Sequence, residues 1–350
     1  MKKDIVLFTS GWKQSGVYRV ESELVDEWRR QGYTVSLVNA NGRIIYDASG
    51  NMDPPSYESG FKPLTIIRRF IRLRHFFRYH PDATIVALSI TADCFAAIFG
   101  STLNNRVVIS ERNDPAQYPS SKSYRKFRDF CFKLADACVF QTEDAKNYFS
   151  SDIQQKGTVI PNPINDRIPE FDRLNREKVV MSTGRLKEQK NFPMLIKAFA
   201  EFVKQFPDYS LEIFGEGNLL DELSTLTKKL NIEDKVYFKA FTDNIWQEMA
   251  RASMFVMSSN YEGISNSMLE ALAIGLPTIC TDCPVGGARQ MIDNGVNGLL
   301  VPVGDVDALT KAMCRVAEDK DFAERLGYNA HQIREKYPLN VIADKWIGVM

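Results

Sequence analysis

Short β-branched runs alternate with segments of helical period along the whole chain, and they do so in two successive sets. The first set reads "DIVLF", "TVSLV", "TIVAL", "RVVIS" and "ACVF"; the second reads "KVVMS", "SLEIF", "KVYFK", "SMFVM" and "PTIC". Such alternation predicts parallel strands joined by crossover helices, and two sets predict two sheets. A chain of 350 residues is also too long for one ordinary core and fits two domains of roughly 150 to 200 residues. Residues 161–177, "PNPINDRIPEFDRLNRE", carry Pro, Asn and charge without apolar periodicity. The linker is therefore expected within them, at 166–177, between domains at 1–165 and 178–337. One helix is legible in detail: after Pro193, the residues Leu195, Ile196, Phe199, Phe202, Val203 and Phe206 keep a three-or-four spacing and form one buried stripe. The last segment, 338–350, follows Pro338 as a separate short helix.

Charge distinguishes the halves. Residues 1–165 hold 22 Lys+Arg against 17 Asp+Glu, and the remainder 22 against 27, so only the first half suits an anionic partner. Nucleic acid is a poor fit to a chain whose formal net charge is zero. The six cysteines have no framework spacing, which predicts a reducing, cytoplasmic location. Cys280 and Cys283 form a C-x-x-C without a second pair or a nearby histidine, and core thiols are expected there rather than zinc ligands. The opening "MKKDIVLFTSG" reads as a first strand rather than a leader. The longest apolar run is broken by Asp93, so any membrane contact is expected to be peripheral.

Parallel α/β sheets place ligands at the carboxyl ends of their strands, and four loops there carry chemistry. In "TSGWKQSGVYRV", Gly11 and Gly16 allow close backbone approach, and a helix starting near Gly16 would aim free amides at an anion; an ordinary strand-to-helix turn explains the loop equally well. In "STGRLKEQKNFP", Gly184 permits a tight exit, while Arg185 and Lys190 bring two cations to a helix N-terminus, enough to hold a diphosphate without metal; the alternative is a solvated basic loop. In "EIFGEGN", Gly215 and Gly217 keep the floor of a site low, and a plain turn explains them nearly as well. The fourth stretch, "NYEGISNSMLEALAIG", holds Glu262 and Glu270. Its purely structural alternative is a capping box, with Ser267 as N-cap, Glu270 as the N3 acid and Gly275 closing the helix. That alternative leaves Glu262 unexplained. With Glu262 in the loop and Glu270 on the helix, the two would reach different parts of one extended ligand, with the amides of Gly263, Ile264 and Ser265 between them.

The block "EGISNSMLEALAIGLPTICTDCPVGGARQMI", with its E-x7-E spacing, together with "GRLKEQKN", "SGVYRV", "VIPNPI" and "FGEG" in order, resembles glycosyltransferase family 4. These are retaining nucleotide-sugar transferases of the glycosyltransferase-B fold, and the resemblance spans essentially the whole chain. It implies two Rossmann-like α/β domains with parallel sheets facing across a cleft, and a C-terminal helix returning to the first. By the same resemblance Glu262 faces the transferred sugar and Glu270 the ribose. Arg185 and Lys190 neutralise the diphosphate, helped by the Gly11–Gly16 loop, and the base, taken as uridine, lies near Lys239 to Phe241. Many members have a first-domain histidine near the sugar. Here the matching loop reads "ISERNDP", wording similar to members that build bacterial surface polysaccharides. Glu111, Arg112, Asn113 and Asp114 are then candidates for acceptor or sugar contacts, the alternative being a plain Asn-Asp-Pro turn. Asp305 and Asp307 spell D-x-D but read as an N-cap and a first-turn acid, and neither metal nor other cofactor is expected.

The partners implied are a nucleotide-sugar donor and a glycan or lipid-linked oligosaccharide acceptor. Residues 61–80, "FKPLTIIRRFIRLRHFFRYH", carry six Lys/Arg and no acid. This basic amphipathic stretch, with Arg68, Arg69, Arg72, Arg74 and Arg78, fits an anionic membrane or a lipid-linked pyrophosphate, and fits equally a helix packed on the first domain with a solvated basic face. Two rival functions share the broad fold: a sugar-nucleotide 2-epimerase, which needs no acceptor, and a non-catalytic nucleotide-sugar-binding protein.

Overall fold

A computed structural model describes residues 4–9, 16–39, 44–46, 74–75, 77–103, 105–171 and 176–350. The chain divides into two α/β units: residues 1–163 with 339–350, and residues 164–338.

The first unit is built on seven strands: β1 (Ile5–Thr9), β2 (Val35–Asn39), β3 (Ile44–Tyr46), β4 (Thr84–Ala87), β5 (Arg106–Glu111), β6 (Ala137–Phe140) and β7 (Gly157–Val159), in the spatial order β3-β2-β1-β4-β5-β6-β7. Strands β1, β4 and β6 are buried along their whole length, as expected of strands covered on both faces. All pairings are parallel except β2 with β3, which is antiparallel. A purely parallel sheet is therefore corrected at this edge. Sheet order reverses between β1 and β4. The closing helix, Leu339–Val349, packs on the helix Gly16–Arg30: Trp28 and Trp346 are fully buried, and the Trp28 indole donates to the Ala343 carbonyl at 3.2 Å.

The second unit has six parallel strands: β8 (Glu177–Thr183), β9 (Ser210–Phe214), β10 (Val236–Lys239), β11 (Ala252–Met257), β12 (Thr278–Thr281) and β13 (Leu299–Val301), in the order β10-β9-β8-β11-β12-β13. The helix Phe192–Gln205 starts at Pro193, and Leu195, Ile196, Phe199, Phe202 and Val203 are buried in the larger core of the unit. Asp305 caps the helix Val306–Glu318 by accepting from the Ala308 amide at 2.8 Å, with Asp307 in its first turn. All six cysteines are free, five of them buried.

The segment between the two strand sets differs from its sequence reading. Ile164 and Ile168 are buried in the core of the second unit. The Ile164 amide donates to the Tyr337 carbonyl at 2.8 Å, and Arg334 donates to the Pro169 carbonyl at 3.0 Å. Ile164 and Ile168 stand singly among Pro, Asn and charged residues and show no apolar run in sequence, yet both are buried in a core built from elements that lie far along the chain.

Candidate active site

Sheet order in the second unit reverses between β8 and β11. A crevice opens at such a reversal because the flanking crossovers leave in opposite directions. The loops that follow these two strands are the ones carrying Lys190 and Glu262.

Backbone and side-chain hydrogen bonds tie those loops together. The Asn260 amide donates to the Gln189 carbonyl at 2.8 Å, Asn260 Nδ2 donates to the Glu188 carbonyl at 2.9 Å, and Ser258 Oγ donates to the Lys190 carbonyl at 2.9 Å. Lys190 ends a short 3-10 turn, Glu188–Lys190, after which Asn191 takes a left-handed conformation and caps the helix Phe192–Gln205. Lys190 Nζ then lies 2.6 Å from Glu262 Oε2, both side chains about one-sixth exposed. Ser259 Oγ donates to the same carboxylate oxygen at 3.4 Å. The stem of Lys190 reaches there across Gly184, where an added Cβ would sit 2.9 Å from Lys190 Cε. A cation and an acid are thus presented together and still partly open to solvent.

The neighbouring loop fits under this pair because it has no side chain at its nearest point. A Cβ on Gly215 would lie 1.9 Å from the Gly184 carbonyl oxygen, and one on Gly217 would lie 2.3 Å from that of Leu186. Arg185 is exposed, and its side chain meets no partner among the described residues. Phe241, beyond β10, is 59% exposed. Nearby, Lys239 pairs with Glu212 at 2.9 Å.

Glu262 lies in the loop before the helix Asn266–Ile274, and its amide donates to the Pro284 carbonyl at 2.9 Å. The N-cap is Ser265, not Ser267, and Glu270 is the fifth helical residue. The capping box is thereby excluded: Glu270 lies two residues past the third helical position that a capping-box acid occupies. It is nonetheless buried, with 6% of its surface exposed, and Gly263, Ile264 and Ser265 are buried around the start of the same helix. Gly275 closes this helix in a left-handed conformation. One residue that sequence reasoning did not single out holds the segment in place. Gly287 opens the short helix Gly287–Met291, and a Cβ there would lie 2.1 Å from the Gly263 carbonyl oxygen. The doubled glycine at 286–287 is the sequence signal that could have found it.

In the first unit Gly16 opens the helix Gly16–Arg30, whereas Gly11 lies outside the described residues. The loop after β5 is held from inside. Glu111 accepts from the amides of Arg112 and Asn113, both at 3.1 Å, and from the fully buried Arg128 at 3.2 Å. Asp114 accepts from the Ala116 amide at 2.8 Å, and its carbonyl accepts from Tyr118 at 2.8 Å. Both acids accept hydrogen bonds within the loop, and Asn113 Oδ1 accepts from the Asp114 amide. Arg112 differs: it bonds Asn162, lies 5.9 Å from the Trp346 ring, and is surrounded by Glu21, Asp93 and Glu111. Of the basic stretch, Arg68, Arg69 and Arg72 fall outside the described residues; Arg74 and Arg78 are exposed, with Phe77 buried against Phe8.

Burial dominates the titration of this acid cluster. It pushes Glu21 up to about 8, against a hydrogen bond from Thr9 and the charge of Arg112, and raises Asp93 well above the usual carboxylate range. Burial also pushes Glu111 up to about 7 despite Arg128, and lowers Arg112 to about 10. A carboxyl raised in the folded state contributes stability that is complete below its unfolded value and is lost as pH climbs through the folded value. The melting temperature is therefore expected to fall between about pH 5 and 8.5. Glu21→Gln, which keeps the neutral form at every pH, should flatten that fall; an unchanged slope would remove Glu21 as its source.

Residues 165–333 match the family model of glycosyl transferases group 1. The second unit belongs to that family. The chain is 25% identical to the amylovoran biosynthesis glycosyltransferase AmsD of Erwinia amylovora, over the full length of both. It is 27% identical to an α-1,4-N-acetyl-D-galactosaminyltransferase of Campylobacter jejuni, over 81% of this chain and 78% of that one; the name of that enzyme includes an acceptor glycan on diphospho-undecaprenol. It is 29% identical to a glycosyltransferase of Methanocaldococcus jannaschii over 65% of this chain, and spans 59% of that relative's length. Among solved structures, Anabaena HepE in complex with UDP and glucose superposes with a TM-score of 0.84 at 17% identity, covering 99% of this chain and 98% of that one. The fold is thus glycosyltransferase-B.

Proposed function

We propose that this protein is a retaining glycosyltransferase that moves a sugar from a nucleotide-sugar, taken as a UDP-sugar, to a glycan or lipid-linked oligosaccharide in surface polysaccharide or glycoconjugate assembly. The observation that carries the reading is the Lys190–Glu262 pair, 2.6 Å apart at the strand-order reversal of the unit matched by the family model. The names of the Erwinia and Campylobacter relatives support the acceptor class, and the UDP and glucose bound by HepE support the donor class.

In this mechanism the C1–O bond to the diphosphate breaks as an acceptor hydroxyl attacks C1 from the same face. The hydroxyl proton leaves with the departing phosphate oxygen, and negative charge gathers on the diphosphate. Arg185 and Lys190 stabilise that charge in place, which lowers the barrier without a metal. Glu262 orients both Lys190 and the sugar. Glu270 accepts from the ribose hydroxyls, and the amides of Gly263, Ile264 and Ser265 bind between the two acids.

The roles separate experimentally. Glu262→Gln is expected to lower kcat while leaving the nucleotide Kd nearly unchanged. Glu270→Ala should raise that Kd by about 10- to 100-fold, the usual effect of losing hydrogen bonds to a charged group. Equal losses of thermal stability in both, with no change in Kd, would return the two acids to a purely structural role. The assignment as a whole is tested by calorimetric titration with UDP, GDP, ADP and their sugars, using Arg185→Ala as control, followed by transfer assays on a lipid-linked acceptor panel. A UDP-sugar bound by the wild type and lost by the variant supports the reading. No binding by any nucleotide overturns it, and binding with product formed in the absence of acceptor replaces transfer by epimerisation.

A further inference from the structure

The helix Lys122–Leu134, on the first unit, is fixed by one face and offers another of unusual composition. Its inner face is anchored by Arg128, Cys131 and Phe132, all fully buried. Arg128 donates to the carbonyls of Pro115 and Tyr118, both at 2.9 Å, besides its pair with Glu111. Ser121 caps the N-terminus by accepting from Tyr124. The helix is therefore held in one orientation, and what it turns outward is decided by the fold.

What it turns outward is aromatic and basic. Phe127 is 44% exposed and Phe130 54% exposed, with Tyr118, 44% exposed, just before the helix. Lys122, Lys126 and Lys133 are exposed beside them. At about 100° per residue these three lysines fall within an arc of about 40°, Phe130 follows at about 80° and Phe127 at about 140°. The rings thus form one flank of the exposed face and the ammonium groups the other. Lys122 and Lys126 meet no carboxylate among the described residues, whereas Lys133 pairs with the exposed Asp152 at 3.1 Å. Asp129, the one acid of the helix, is turned to Arg128 at 2.8 Å.

A solvated helix gains nothing from two half-exposed phenylalanines, and a purely electrostatic surface has no use for them. An anionic bilayer satisfies both flanks: the rings enter the boundary between headgroups and acyl chains while the lysines meet lipid phosphates. We propose that this helix docks the protein onto an anionic lipid surface. Charge complementarity selects the occupant, since the exposed face offers cations and rings with no unpaired acid. The helix is a different segment of the chain from the basic stretch at 61–80, and the proposal is independent of the transfer reaction.

The test is cosedimentation of the full chain with sucrose-loaded vesicles of phosphatidylcholine alone and of phosphatidylcholine mixed with phosphatidylglycerol. Wild type is expected to pellet with the anionic vesicles and to be released by salt. Each lysine near such a surface contributes roughly fivefold in partitioning, so Lys122→Gln with Lys126→Gln should weaken binding by about 25-fold. Phe127→Ser with Phe130→Ser should weaken it by at least about tenfold. Both pairs lie on the surface and should keep the wild-type melting temperature. Failure of the wild type to pellet with anionic vesicles would overturn the proposal, as would variants that pellet like wild type. A concentration-dependent dimer dissolved by the phenylalanine pair would assign the face to a second copy and overturn it equally.

Discussion

Lys190→Ala is expected to reduce turnover by roughly 100- to 1,000-fold, the range seen when one donor aimed at developing negative charge is removed. The geometry says why the loss should be catalytic rather than structural. Lys190 reaches its position on a stem laid over Gly184, and its own backbone carbonyl, not its ammonium, receives the Ser258 hydroxyl that ties the loops together. Truncation leaves that tie intact. What disappears is the charge 2.6 Å from Glu262, and the stability cost of losing such a partly exposed pair is about 1 kcal/mol. A rate loss of this size corresponds to about 2.7 to 4 kcal/mol, well beyond it. Arg185→Ala sharpens the test, because that side chain is exposed without a partner among the described residues. It should slow transfer to a similar extent at an unchanged melting temperature. Near-normal kcat in both variants would remove the diphosphate assignment.

Gly287→Ala is expected to act on both stability and donor binding. Its Cβ would stand 2.1 Å from the Gly263 carbonyl oxygen, 2.5 Å from its carbon and 3.0 Å from the Ile264 nitrogen. Those are backbone atoms of the segment that carries Glu262 and leads into the helix Asn266–Ile274, so relief cannot come from rotating a side chain. Forcing extra volume into a closed contact typically costs about 1 to 3 kcal/mol. Because the Glu262 amide is fixed to the Pro284 carbonyl on the same connection, the shift should also misplace Glu262 and the amides after it. A melting curve and a nucleotide titration read the two effects separately: a lower melting temperature with a raised Kd is expected. Unchanged nucleotide affinity at lowered stability would mean that the 263–265 amides do not meet the donor.

How much of this was legible beforehand varies with the physics involved. The ten long strands and the helix after Pro193 announce themselves through local pattern, because β-branched runs and a three-or-four apolar spacing are properties of neighbouring residues. Strands β3, β7 and β13, each of three residues, carry too few side chains to show a period, and only pairing with a neighbour defines them. Ile164 and Ile168 were hidden for a related reason, since an isolated apolar residue in a polar stretch reveals nothing of the socket that receives it. The loop "ISERNDP" divides along the same line. Its turn chemistry was readable, but the inward commitment of Glu111 to Arg128, 17 positions away, was not.

The chain by itself therefore determined the α/β class, the two-unit plan, the glycine exits after the strands and the identity of Arg185, Lys190, Glu262 and Glu270 as the residues to watch, since each follows from short-range pattern and residue chemistry. Tertiary structure alone decided which of these meet. Lys190 and Glu262 are 72 positions apart, and they touch because β8 and β11 are neighbours in a sheet whose order reverses between them. Strand order is settled by how crossover helices pack over the whole unit, a through-space competition that no window of sequence contains. The same competition turns Arg128 inward and leaves Phe127, its neighbour in sequence, facing solvent.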